Sequence, residues 1–129
     1  MHDLTKQFVR ALEELHRDRN VEPLLKLFSA DATLSKAGMP HGQHGAEGAR
    51  TFWEQYRNVF DELEATFQHI TTDEGIAYLE WTSQGTLPDG SDFSYTGVSV
   101  LEATGDTIDA FRTYYDTAAF LERQSAVST

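Results

Sequence analysis

At 129 residues the chain can bury one core but not two, and its 40% hydrophobic and 12% aromatic content excludes a disordered polymer. The absence of cysteine excludes disulfides, thiolate metal sites and cysteine nucleophiles, and a formal net charge of −11 argues against nucleic acid or an anionic membrane as partner. The N-terminal MHDLTKQFVR lacks an apolar signal core and no apolar run approaches about 18 residues, so the expectation is a cytoplasmic protein, one domain over 1–129.

Over residues 3–17, Leu4, Phe8, Ala11, Leu12 and Leu15 recur at helical spacing with charges between them, which predicts an amphipathic helix. A second, short helix is predicted over 21–28, with Asn20 as cap, Glu22 and Pro23 in its first turn, and Leu24, Leu25, Leu27 and Phe28 buried. A short strand follows over 32–35. Residues 36–45, KAGMPHGQHG, form a loop by their glycines and proline. The third helix carries Ala49, Phe52, Trp53, Tyr56, Val59, Phe60 and Leu63 on one broad apolar face.

Beyond Asp61 the period changes to two. Strands fit 63–72, 75–87, 93–103 and 107–115, separated by Asp73-Glu74, Pro88-Asp89-Gly90 and Thr104-Gly105-Asp106, which is good turn chemistry for an antiparallel meander. Alternation in the last strand places Ile108, Ala110, Arg112, Tyr114 and Asp116 on one face. Charged groups on a core-packed face must be paired or face a cavity. A short closing helix is expected over 117–123, then a frayed tail over 124–129.

A glycine-containing hairpin, then Ile108, then an aromatic-rich strand closing in Tyr114-Tyr115-Asp116 and a short helix resembles the ending of SnoaL-like domains. These belong to the nuclear transport factor 2-like superfamily, with ketosteroid isomerases and limonene epoxide hydrolases as relatives. The order of elements over 3–122 is similar too, and so is His44-Gly45-Ala46-Glu47-Gly48, with its glycine before the third helix. The resemblance implies an α+β fold: a cone-shaped barrel in which a strongly curved, mostly antiparallel sheet wraps around helices, in the order α-α-β-α-β-β-β-β with a short C-terminal helix. It also implies a pocket for a small hydrophobic molecule, and a homodimer formed through the outside of the sheet.

Several residues could carry chemistry. Asp116 is either a general base at the cavity mouth or the cap of the closing helix. By resemblance to the isomerases, Tyr114 and Tyr56 would donate to a developing enolate. Arg112 either holds a ligand oxygen or forms a cross-strand ion pair with Glu102 or Glu80. Trp53 and Tyr56, whose polar atoms need partners when buried, are expected to line the cavity together with Phe60 and Trp81. His44 would reach over the rim as acid or base, or stay an exposed loop residue. His41-x-x-His44 lies in a loop without a third ligand, so no metal is expected. His69 reads as a hydrogen-bonded core residue.

Three functions follow from these readings. One is a cofactor-independent isomerase or cyclase acting by proton transfer alpha to a carbonyl, with Asp116, Tyr114 and Arg112 as its catalytic set. A second is epoxide hydrolase-like water activation by a carboxylate pair around Arg112, which needs Glu80 or Glu102 in the cavity. The third is a non-catalytic ligand-binding or dimerisation domain.

Overall fold

The computed structural model describes residues 1–39 and 41–117. Helix α1 spans His2–Asp18 and buries Leu4, Phe8, Ala11, Leu12 and Leu15, the stripe expected from spacing. It ends where Arg19 enters the left-handed region at φ 59° and returns its N–H to the Leu15 carbonyl. Helix α2 is a single turn, Glu22–Leu25, shorter than its sequence suggests because the chain is already extended at Phe28. Strand β1 covers Phe28–Lys36, and a two-residue strand β2, Gln43–His44, folds back on it. Nothing in the sequence signals β2.

Gly45 turns the chain at φ 78°, a conformation that favours glycine, and opens helix α3, Gly45–Asn58. Strands β3 (Leu63–Asp73), β4 (Ile76–Thr86), β5 (Asp92–Thr104) and β6 (Thr107–Tyr115) then form the meander. The six strands make one curved sheet in the order β2-β1-β6-β5-β4-β3, antiparallel except for the β1–β6 pair. The architecture is therefore α+β, with α1 and α3 seated on the inner face. There Phe8 meets both Trp53 and Phe111, at ring separations of 6.1 and 5.8 Å. None of the helices among the described residues is long and apolar enough to cross a membrane. From residue 118 on, the expected closing helix and tail lie outside the described residues.

Two β-bulges decide which side chains face inward. In β6, Ile108 pairs with Ala103 and Ala110 with Glu102, so Asp109 is an extra residue. The alternation slips by one, and Phe111, Thr113 and Tyr115 follow Ile108 onto the inner face. The single face expected for Ile108, Ala110, Arg112, Tyr114 and Asp116 is therefore broken. In β3, Phe67 pairs with Trp81 and His69 with Glu80, leaving Gln68 as the extra residue. His69 consequently faces solvent, with its Nδ1 2.6 Å from Glu80, instead of the core position expected of it.

Candidate functional site

The inner face of the sheet and the two long helices enclose a cavity of about 250 Å³. Its floor is aromatic. Phe52 stands edge-on to Trp53 at 5.1 Å, and the Phe111 ring lies 4.9 Å from the Trp53 ring. Tyr56, Phe60, Tyr95 and Tyr115 carry the wall toward the opening, with Tyr95 and Tyr115 at 5.5 Å. At the side, the Trp81 ring packs against Gly97. A Cβ there would meet the Trp81 ring and the Tyr114 carbonyl at 2.5 Å, so only glycine lets the indole settle.

Polar groups are few and mostly hydroxyls. The Tyr56 hydroxyl lies 2.7 Å from His16 Nε2. Burial, helped by the Arg57 cation, lowers the His16 imidazole to about 4, so it is neutral near pH 7. Burial pushes the Tyr56 phenol well above its ordinary value; the Tyr95 phenol adds to the shift and Arg57 opposes it. Burial raises the Tyr95 and Tyr115 phenols as well. All three tyrosines therefore stay protonated at neutral pH. Tyr56 is shielded from bulk solvent yet open to the cavity. If His16 presents Nε2–H to the Tyr56 oxygen, the Tyr56 proton is free to donate into the cavity. With the other tautomer Tyr56 donates to His16 and offers the cavity an acceptor.

A second polar group sits on β4, β5 and β6. Trp81 Nε1 donates to Ser99 Oγ at 2.9 Å, and Ser99 Oγ lies 2.9 Å from Thr113 Oγ1. Lys36, paired in register with Thr113, is the one formally charged side chain among the described lining residues. No carboxylate lines the cavity among the described residues. Nor do the described residues contain a cluster of three or more His, Asp or Glu able to hold a metal ion.

Beneath the site, Arg57 is buried and structural. Its guanidinium donates to the Leu15 and His16 carbonyls at the end of α1 and to the Phe60 and Asp61 carbonyls after α3. It pins the His16 turn against the base of α3.

The residues singled out from sequence separate cleanly. Trp53, Tyr56, Phe60 and Trp81 line the cavity. The buried Trp53 N–H has no hydrogen-bond partner among the described residues. Arg112 lies on the outer face, paired with Glu102, as the structural alternative had it. Tyr114 is also outside, 54% exposed. Asp116 is exposed, one residue beyond the lining Tyr115 and not itself a wall residue. His44, in β2, is exposed, pairs with Thr33 of β1 and stands at the start of α3, away from the cavity lining. With Glu80 and Glu102 both outside, the carboxylate pair around Arg112 needed for epoxide opening is not assembled.

Sequence reasoning missed His16, Tyr95, Ser99, Thr113, Tyr115 and Lys36. His16 alone carried a signal: Phe8, Leu12 and His16 recur every four residues, so it continues the buried stripe of α1.

Comparison with known proteins agrees with this geometry. The model of the SnoaL-like domain matches residues 6–111. The chain belongs to the SnoaL-like domain family. Its fold is the cone of the nuclear transport factor 2-like proteins. An NTF2-like protein from Anabaena variabilis superposes with a TM-score of 0.83 at 16% identity, covering 92% of this chain and 90% of that one. A protein with a ketosteroid isomerase-like fold from Catenulispora acidiphila, in complex with trimethylamine, gives 0.78 at 18% identity, with 90% of each chain covered. TerC, co-crystallised with polyporic acid, gives 0.78 at 17% identity, covering 92% of this chain and 96% of that one. At these identities the likeness concerns the fold. No curated protein matches the sequence.

Proposed function

We propose that this SnoaL-like protein binds a compact, largely apolar molecule bearing a carbonyl oxygen, with Tyr56 as the contact to that oxygen. The observation that carries this reading is an aromatic cavity in which the hydroxyl of a protonated tyrosine is held by a buried neutral histidine. Apolar walls supply affinity and a few convergent polar groups fix orientation. Related folds crystallised with trimethylamine and with polyporic acid support a small-molecule role. Titration with 2-tetralone, followed by NMR, tests it. The Trp53 and Trp81 indole resonances shift saturably if the ketone occupies the cavity; unshifted resonances overturn the reading.

A second reading adds catalysis, and the two tautomers of the His16–Tyr56 pair favour it. Tyr56 can donate to a keto oxygen or accept from an enol hydroxyl, both of which an isomerase or cyclase needs. A base would remove the proton alpha to the carbonyl while its electron pair moves to the oxygen held by Tyr56. Asp116, just beyond Tyr115, is the residue proposed as that base. Enzyme-dependent incorporation of deuterium at the alpha carbons of 2-tetralone in D2O, lost in Asp116→Asn, is the expected result. Exchange no faster than in buffer leaves binding alone. We also propose a homodimer through the outer sheet face, where Tyr78 and Tyr114 are 47% and 54% exposed. Sedimentation equilibrium tests that, and a monomer at all concentrations contradicts it.

A further inference from the structure

We infer that the cavity takes a carboxylate-bearing ligand, its anionic oxygen held between the Thr113 hydroxyl and the Lys36 ammonium. The inference rests on the binding role proposed above and adds the class of molecule bound.

Trp81 N–H, Ser99 O–H and Thr113 O–H supply three donors, and the chain linking them contains two hydrogen bonds. The indole can only donate, so Ser99 Oγ accepts from it. Whichever hydroxyl donates in the Ser99–Thr113 contact, one hydroxyl proton is left over. Among the described residues no acceptor takes it. Ser99 and Thr113 both line the cavity, so the surplus proton is offered to whatever binds there.

The neighbour across the sheet cannot accept that proton. Lys36 pairs in register with Thr113 on the parallel strand, and adjacent strands lie about 4.8 Å apart. Both residues line the cavity. The Lys36 ammonium carries three N–H donors and forms no ion pair or hydrogen bond among the described residues. A surplus hydroxyl proton beside an unpaired ammonium is a donor set, and only an acceptor satisfies it. A carboxylate does so best, because bonds between charged partners are about twice as strong as neutral ones. In a chain with a net charge of −11, an inward ammonium with no carboxylate among the described wall residues is not part of a general basic surface. The apolar body of such a ligand would lie on Trp53 and Phe111, deeper along the strands.

The test compares 2-naphthoate with 2-naphthamide, which have nearly the same shape but differ in charge, by isothermal titration calorimetry at pH 7.5. Wild-type protein is expected to prefer the carboxylate by about tenfold. Lys36→Met should bring the ratio close to one, Thr113→Val should lower it in part, and Lys36→Arg should retain it. Thermal melts establish that each variant is folded. A wild-type protein that binds the amide as tightly as the carboxylate overturns this inference while leaving the cavity's binding role intact. Failure of both probes to bind overturns the two together. A preference that persists in folded Lys36→Met also overturns the assignment.

Discussion

His16 Nε2 and the Tyr56 hydroxyl lie 2.7 Å apart, joining the last turn of α1 to the last turn of α3. Burial holds the imidazole at about 4 in the folded protein, against 6.5 in an exposed chain. The unfolded chain therefore binds the extra proton between those values, and stability is lost as pH falls from 6.5 toward 4. The contribution at stake is on the order of 3 kcal/mol. Urea unfolding at pH 7.5 and 4.5 should show a larger loss in wild type than in His16→Gln. Equal losses in the two proteins would refute the assignment.

Arg57 satisfies four carbonyls at the junction of two helices. The Leu15, Phe60 and Asp61 carbonyls also accept from Arg19, so Arg57→Met takes the donor from the His16 carbonyl alone and should cost about 1–3 kcal/mol, readable as a fall in denaturation midpoint. Arg57→Lys restores charge but not the planar fork, and should recover only part of the loss.

Gly97 is set by contact, not by backbone conformation. In Gly97→Ala the new methyl meets the Trp81 ring and the Tyr114 carbonyl, so the indole must move. We expect a loss of about 1–3 kcal/mol and a changed tryptophan emission spectrum. An unchanged spectrum and midpoint would mean that the wall is looser than described.

The Arg112–Glu102 pair sits on the outer face with both side chains partly exposed. Exposed pairs contribute little, so Arg112→Ala should alter stability by less than about 1 kcal/mol. It should also leave 2-tetralone affinity unchanged within error in a titration. A loss of binding would restore Arg112 to the ligand site.

The contrast between Arg112 and Thr113 shows how far the sequence could be read. Helix α3 announced its wall residues, because Trp53, Tyr56 and Phe60 repeat at a helical period that one bulky face must bury. The meander was equally legible from its turns. The inner face of β6 was not, because one extra residue at Asp109 reverses the alternation and Asp109 differs in no visible way from an ordinary outward strand residue. The same applies to Gln68 and His69 in β3. The polar chain from Trp81 to Thr113 crosses three strands, and its members come together only once their register is known.

The proposed role of Tyr56 is to recognise a ligand oxygen inside an apolar cavity. The most direct test measures the affinities of 2-tetralone and of tetralin, which lacks the oxygen, for wild type and Tyr56→Phe. Wild type should favour the ketone by about fivefold or more, and Tyr56→Phe should lose this preference while still binding tetralin. A preference of the same size in both proteins would contradict it.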